Sequence, residues 1–147
     1  ALDLAQVSDI LRRHDRLVAA PTTAIGSALL YGFELLDAQN ECWKRTLDLS
    51  GDGETNTGLL PQDISDARTP VGVVVNGLVV GSADRNSNGR TFSDVEELAS
   101  YYETYVVRGP GAFVEVALGF DAYAAAMERK LLRELASIAL GLVQTEP

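Results

Sequence analysis

The sequence predicts an α/β fold, with a mainly parallel sheet covered by helices on both faces. Segments with helical and with strand-like patterns alternate along the chain, which is typical of α/β folds. Residues 71–80 are almost continuously apolar and β-branched, as in a strand that is buried on both faces. Residues 121–140 carry apolar side chains at helical spacing, so we predict that the chain ends in a helix.

The 147 residues suffice for one domain, which we assign to residues 1–147. The first part of the chain predicts two helices, at 2–19 and 24–37, because apolar residues recur there at helical spacing. Thr23 occupies the position of an N-cap for the second helix. Gly26 would let a neighbouring segment approach that helix closely.

The rest of the chain predicts three strands and three helices, in the order strand 43–49, short helix 61–69, strand 71–80, helix 93–105, strand 112–118 and helix 121–140. A polar insertion, residues 82–92, follows the second of these strands. In the last helix a single stripe is predicted to face the core, formed by Tyr123, Met127, Leu131, Leu135 and Ile138.

Composition and charge exclude some classes of function. A hydrophobic share of 46% allows a buried core, and the formal net charge of −9 argues against nucleic acid as a main partner. The longest apolar stretches, residues 71–80 and 135–143, fall short of the roughly 18–20 residues of a membrane helix. We therefore expect no membrane span.

Several chemically distinctive side chains are predicted to be structural. Cys42 is the only cysteine, which excludes an intrachain disulfide, and we expect a buried, inert thiol. His14 is the only histidine and is predicted to lie on a helix surface, so a catalytic triad or zinc site has little support. Tyr101, Tyr102 and Tyr105 are predicted to pack rather than to form a recognition surface.

The loop Asp48-Leu-Ser50-Gly-Asp52-Gly is the sharpest candidate site. Two carboxylates and a hydroxyl alternate along it, and such hard oxygen atoms are the ligands that Mg²⁺ and Ca²⁺ prefer. The alternative is a strand end whose acidic side chains only cap turns and accept hydrogen bonds from backbone amides. Spacing alone leaves both interpretations open.

Two other loop patterns are rejected. Gly53 and Gly58 have the spacing of a phosphate-binding loop, but two leucines stand where the lysine and the hydroxyl residue should follow. Residues 84–89 resemble the start of an EF-hand loop, yet Val95 occupies the position of its bidentate glutamate. We therefore expect neither nucleotide binding nor an EF-hand.

Six short segments occur along the chain in this order: Thr23-Ala-Ile-Gly-Ser-Ala-Leu29, Leu47-Asp-Leu-Ser-Gly-Asp-Gly-Glu-Thr-Asn56, Val75-Asn-Gly-Leu78, Tyr101-Tyr102, Gly109-Pro-Gly-Ala-Phe113 and Lys130-Leu-Leu-Arg-Glu134. Together they resemble the bacterial von Willebrand factor A-like family known as domain of unknown function 1194, over nearly the whole chain. The resemblance implies a doubly wound sheet with a metal-ion-dependent adhesion site at the carboxyl ends of its strands.

The resemblance assigns the metal-ligating threonine of such a site to Thr23 and its aspartate to Asp52, and spacing adds Asp48 and Ser50 as weaker candidates. The first-strand Asp-x-Ser-x-Ser loop of the family is missing, so the chain resembles only the C-terminal part of the domain. We therefore expect Mg²⁺ or Ca²⁺ to be held here only in part. Either another polypeptide completes the site, or the site is vestigial.

The leading functional hypothesis is a non-enzymatic, adhesion-type module that binds a protein partner, in the periplasm or outside the cell as the resemblance implies. Strand 43–49 would lie at an open sheet edge, which favours a homo-oligomer or a complementing N-terminal fragment. The alternative is a structural or assembly domain with a vestigial, metal-free site. A metal-dependent hydrolase using Asp48 and Asp52 is a third hypothesis, for which no general base can be named.

Overall fold

A computed structural model describes residues 3–14, 22–39, 41–81 and 92–143. Its helices and strands are α1 (Leu4–Arg13), α2 (Ile25–Asp37), β1 (Arg45–Gly51), β2 (Val73–Gly81), α3 (Phe92–Tyr101), β3 (Val114–Leu118) and α4 (Tyr123–Val143). The three strands form one parallel sheet in the order β1-β2-β3. The predicted α/β class with a parallel sheet is therefore confirmed.

Strand β2 is the centre of the sheet and is buried on both faces. Val75 and Val79 belong to the larger apolar cluster, which includes residues of α2 and α3. Leu78 and Val80 point the opposite way, into a second cluster with Ala126 of α4. Helices thus cover the sheet on both faces, which explains why this strand is apolar along almost its whole length.

Helix α2 packs on β1 and on the loop that precedes β2. Its buried side chains, Ile25, Leu29 and Phe33, recur at helical spacing as predicted. Gly26 lies so close to the backbone of Leu59 that a Cβ atom would overlap the Leu59 carbonyl oxygen. The glycine is therefore what permits the predicted close approach.

The predicted N-cap of α2 is wrong. Ala24 occupies the cap position, and no side chain caps the helix. Thr23 lies one residue earlier, where its backbone N–H and C=O bond to Asn56 instead. This long-range pairing outweighs the local preference of threonine for the cap.

The predicted apolar stripe of α4 is also partly wrong. Tyr123 and Met127 pack against the second cluster as predicted, but Leu131 and Leu135 are 45% and 60% exposed, and the fully buried side chains are Ala126 and Lys130. The side chain of Ile138 lies outside the part of the chain whose side chains are described. Lys130 can be buried because its ammonium group forms ion pairs with two carboxylates, those of Asp48 and Glu134. Hydrophobic periodicity cannot register a buried charge that has partners from another element.

The segment before β2 differs from the short helix that was predicted there. Residues 61–69 form two 3₁₀ turns, Pro61–Asp63 and Asp66–Arg68, rather than one helix. Arg108 holds these turns in place, because its guanidinium donates to the carbonyls of Pro61 at 2.8 Å and Ile64 at 3.1 Å. Of the predicted insertion 82–92, residues 82–91 lie outside the described residues.

Cys42 is exposed, so its predicted burial is wrong. It lies in the connection between α2 and β1, before the strand enters the sheet. His14 is exposed, as predicted, at the end of α1. Within the ranges that the structure describes, no helix is long and apolar enough to cross a membrane.

Replacing Gly26 with alanine should lower the free energy of unfolding by about 1–3 kcal/mol, because the new methyl group has no room beside Leu59. Urea denaturation measures this change. The matched control is Ser27→Ala, at the next and exposed helix position, where we expect a change within about 0.5 kcal/mol. Equal effects at the two positions would contradict the packing described here.

Candidate functional site at the carboxyl end of β1

The loop that follows β1 is held against the residue that precedes α2. Asn56 makes this contact with both its side chain and its backbone: Oδ1 accepts from Thr23 N at 2.8 Å, and N donates to Thr23 O at 2.9 Å. The backbone N–H of Thr57 donates to the same carbonyl at 3.3 Å. Two segments that are 33 residues apart are thereby brought together at the carboxyl end of β1.

This contact places the Thr23 hydroxyl beside the Asp52-Gly53 pair. Thr23 Oγ1 is 3.9 Å from the position that a Cβ atom would take on Gly53. Asp52 precedes this glycine and is exposed at the sheet edge. The two residues that the resemblance assigned as ligands therefore lie in neighbouring segments at one edge of the sheet.

Two tyrosines support the loop from below. Tyr101 Oη accepts from the backbone N–H of Thr55 at 3.4 Å, and Tyr102 is 1% exposed. A Cβ atom on Gly51 would overlap the Tyr102 hydroxyl, so only glycine fits there. Burial, together with the charges of Tyr101 and Asp52, raises the pKa of Tyr102 to about 12. The predicted packing role is confirmed for Tyr101 and Tyr102, which support the Asp52 loop, whereas Tyr105 is 39% exposed.

The weaker candidates, Asp48 and Ser50, lie on the face of β1 that α4 covers. Ser50 Oγ accepts a hydrogen bond from the Tyr123 hydroxyl at 3.4 Å. Asp48 pairs with the ammonium group of Lys130. The structure thus divides the four predicted ligands, with Thr23 and Asp52 at the loop and the other two engaged with α4.

Lys130 is the buried centre of a charge cluster. Its side chain is 0% exposed, and its ammonium group pairs with Asp48 of β1 and, at 2.6 Å, with Glu134 of its own helix. Asn76 of β2 donates to Glu134 at 2.8 Å and accepts from the backbone N–H of Phe113 at 3.2 Å. The cluster therefore ties α4 to two strands and to the start of a third.

The two carboxyl groups of this cluster have opposite pKa shifts. Burial raises the pKa of Asp48, against the effect of Lys130, and the neighbouring Glu134 charge adds to the rise. Burial also works to raise the pKa of Glu134, but hydrogen bonds from Lys130 and Asn76 outweigh it, so the pKa of Glu134 is lowered. Glu134 is the more firmly ionised partner of the ammonium group.

The oxygen atoms at the Thr23–Asp52 site suit a hard divalent ion. A hydroxyl and a carboxylate are ligands that Mg²⁺ and Ca²⁺ accept, but these ions need six or more oxygen atoms in all. Among the described residues no group of three or more histidine, cysteine, aspartate or glutamate side chains could hold a metal ion. Any ion bound here would therefore take most of its ligands from water or from a partner.

Sequence reasoning missed the residues that organise this region, Asn56 and the Lys130–Glu134 pair. Asn56 follows Asp52 by four positions, but nothing in the local pattern indicates that it would bond to Thr23. Lys130 and Glu134 have the spacing of a helical ion pair, which usually lies on the surface. An acidic residue inside the predicted strand, Asp48, was the available signal that a buried cation faced it.

Comparison with known proteins identifies one family. The sequence model of the family described as "Protein of unknown function (DUF1194)" matches residues 1–139 of the chain. No curated protein and no solved structure matches the chain.

Lys130→Met should lower the free energy of unfolding by about 3–5 kcal/mol at neutral pH, because it leaves Asp48 and Glu134 without their cation. Both carboxyl pKa values should then rise above their unfolded values. Stability tied to a raised carboxyl pKa is present at low pH and is lost as the pH rises. The deficit should therefore shrink as the pH is lowered, as followed by denaturation across pH.

The control for this experiment is Arg129→Met, at the position just before Lys130 on α4. This substitution breaks the ion pair of Arg129 with Glu115, in which the arginine is exposed. We expect it to cost less than about 1 kcal/mol, with little pH dependence. A Lys130→Met deficit that is no larger than the control, or that grows at low pH, would contradict the buried pairing.

Proposed function

We propose that this chain, which belongs to the DUF1194 family, is a non-enzymatic module that binds a protein partner at the Thr23–Asp52 site. The observation that carries the proposal is the contact between the two loops. Asn56 holds Thr23 against the loop that carries Asp52, so a hydroxyl and an exposed carboxylate lie in neighbouring segments at the carboxyl edge of the sheet. This edge is where parallel α/β sheets bind ligands.

In this proposal a divalent ion, Mg²⁺ or Ca²⁺, joins the module to its partner. The Thr23 hydroxyl and the Asp52 carboxylate would supply two of its ligands, with water and a carboxylate of the partner supplying others. The ion provides a directional contact between two acidic surfaces, which would otherwise repel each other.

The resemblance to von Willebrand factor A-like domains supports this proposal on two counts. The threonine and the aspartate of the adhesion site correspond to Thr23 and Asp52, and the segments that carry them occur in the family's order. The parallel sheet with helices on both faces agrees with a part of such a domain. A periplasmic or extracellular location follows from the same resemblance and is part of the proposal.

A structural or assembly domain is the second candidate function, and the open edge of β1 favours it. Among the described residues, β1 pairs with β2 alone. Apolar side chains of the covering helices, Tyr31 and Leu35 on α2 and Leu131 on α4, are exposed. An unpaired edge can accept a strand from another chain, either a second copy or a complementing N-terminal fragment.

A metal-dependent hydrolase has less support. It would need Asp48 together with Asp52 as metal ligands, but Asp48 is engaged with the buried ammonium group of Lys130. Drawing this carboxylate to a metal would leave Lys130 without one of its two anionic partners, which is costly in the interior.

A saturating divalent ion should raise the melting temperature of the wild-type chain by a few degrees, since a ligand at about 100 times its dissociation constant contributes roughly 2.7 kcal/mol. A thermal-shift titration with Mg²⁺, Ca²⁺ and Mn²⁺ measures this, with a chelator as the blank. Asp52→Ala should abolish the shift. Glu54→Ala, which removes an exposed carboxylate from the same loop, should retain it.

A shift that persists in Asp52→Ala would place the ion elsewhere and contradict the proposal. Indifference of both proteins to metal and to chelator would favour the assembly domain. For that second candidate, light scattering after size exclusion should give a mass above that of one 15.7 kDa chain, rising with concentration. A monodisperse monomer without any added fragment would count against it.

A further inference from the structure

A small recess lies at the amino ends of the strands, at the sheet edge opposite to the Thr23–Asp52 site. It has a volume of about 120 Å³, and the residues that line it include Lys44, Asn76, Pro110, Phe113, Arg133 and Glu134. Pockets for drug-sized ligands begin at about 300 Å³. The recess is therefore of a size for one small chemical group.

Arg133 is held flat against one wall of the recess. Its guanidinium carbon lies 3.9 Å from the centroid of the Phe113 ring, which is itself buried. This stacking fixes the plane of the guanidinium and leaves the N–H donors at its edge. Within the part of the chain that the structure describes, Arg133 forms no ion pair. A guanidinium fixed in this way suits a planar anion that accepts two parallel hydrogen bonds.

Asn76 supplies a buried donor on another side of the recess. It is 3% exposed, and its Nδ2 donates to Glu134 at 2.8 Å. A side-chain amide carries two N–H donors, and among the described residues this is the one hydrogen bond that Nδ2 donates. The second N–H is therefore available to an acceptor in the recess.

The charges around the recess favour an anion. Of the described residues that line it, Glu134 alone is a carboxylate, and its charge is met by Lys130, which Asp48 shares. Lys44 and Arg133 add two further cationic groups at the recess. The three cations thus exceed the two carboxylates, in a chain whose net charge is −9. A local positive excess of this kind attracts a singly charged anion.

The other walls decide which anion fits. Val74, Pro110 and Phe113 give the recess an apolar side next to the guanidinium. An apolar side accommodates a carbon stem, but it cannot replace the hydration of a doubly charged phosphate, whose burial costs more than that of a single charge. A planar group with one negative charge and an apolar stem is a carboxylate.

We propose that this recess binds a carboxylate group on a short apolar stem. Arg133 is its bidentate partner, and Asn76 and Lys44 contribute a hydrogen bond and positive charge. Such a group is found both in a free short-chain carboxylic acid and at the carboxyl terminus of a polypeptide. The site is independent of the Thr23–Asp52 site and requires no metal ion.

The test compares propionate with propionamide, which has nearly the same shape and no charge. Each is titrated into the full chain at constant ionic strength and in chelator, so that no metal ion contributes, and binding is followed by ¹H–¹⁵N chemical shifts. The indole N–H of Trp43, the only tryptophan, is next to Lys44 in sequence and reports on this edge. Propionate should bind on the order of tenfold more tightly than propionamide, because hydrogen bonds between ionised groups are the stronger ones.

Arg133→Met removes the guanidinium but keeps an apolar side chain beside Phe113, and Arg133 is exposed, so the fold should be retained. This variant should bind propionate on the order of tenfold more weakly. The matched control is Arg129→Met, which removes the same charge from α4 where the arginine pairs with Glu115. It should keep the wild-type affinity within about twofold, because salt screens an exposed charge away from the site.

Three results would overturn the proposal. They are equal binding of propionate and propionamide, an equal loss of affinity in the two arginine variants, and the absence of saturable shifts at Asn76, Gly111 and Phe113. Inorganic phosphate that displaces propionate at a concentration below that of propionate itself would also overturn it, because the site would then be one for phosphate.

A further pair of probes distinguishes the two sources of the carboxylate. These are acetyl-Ala-Ala with a free carboxyl terminus and the same peptide with an amide terminus. Binding of the acid peptide at least as tight as that of propionate, lost in the amide, would support the site and identify a polypeptide terminus as its ligand. Binding of propionate alone would support the site for a free acid.

Discussion

The buried ammonium group of Lys130 fixes the helix that completes the fold. Because a charge without partners in the interior costs several kcal/mol, Lys130 can be buried only where Asp48 and Glu134 meet it. This requirement sets both the rotation of α4 and its position along β1. The hydrogen bonds of Asn76 to Glu134 and to the backbone of Phe113 extend the same constraint to the other two strands. These directional ion pairs and hydrogen bonds define the position of α4 more precisely than apolar contacts alone would.

The position of α4 in turn determines the functional edge. Its first residue, Tyr123, lies across from Ser50, and the turn that precedes it presents Phe120. On the other side, the parallel register of β1 and β2 brings Gly51 level with Val79, so the Asp52 loop emerges at the carboxyl edge. Two walls of different chemistry are therefore placed by interactions that lie inside the molecule.

Residue patterns were sufficient to predict the fold class and most element positions. The unbroken apolar run of β2 and the helical spacing of α2 report burial directly, and burial is what hydrophobic patterns measure. The errors arose where a contact distant in sequence overrides a local preference. Thr23 does not cap α2 because Asn56 bonds to its backbone, and Leu131 does not face the core because Lys130 does. Neither partner can be read from a window of neighbouring residues.

At the candidate site, too, local patterns predicted the residue types, whereas contacts between distant segments determine the arrangement. Residue types in the loop indicated oxygen ligands, and the family resemblance indicated which residues could act together. Proximity of Thr23 to the Asp52 loop required the fold, since it depends on Asn56 and on the tyrosines beneath the loop. The role of Asp48 could not be assigned from spacing, because a carboxylate at a strand end serves equally as a metal ligand or as the partner of a buried cation.

The proposed site, to which this chain would contribute Thr23 and Asp52, has a thermodynamic consequence. If an ion takes one ligand from a partner, the ion and the partner each raise the affinity of the other by the same factor. Weak binding of the ion alone is then compatible with strong binding of the complete assembly, because the partner supplies an oxygen atom that water would otherwise provide.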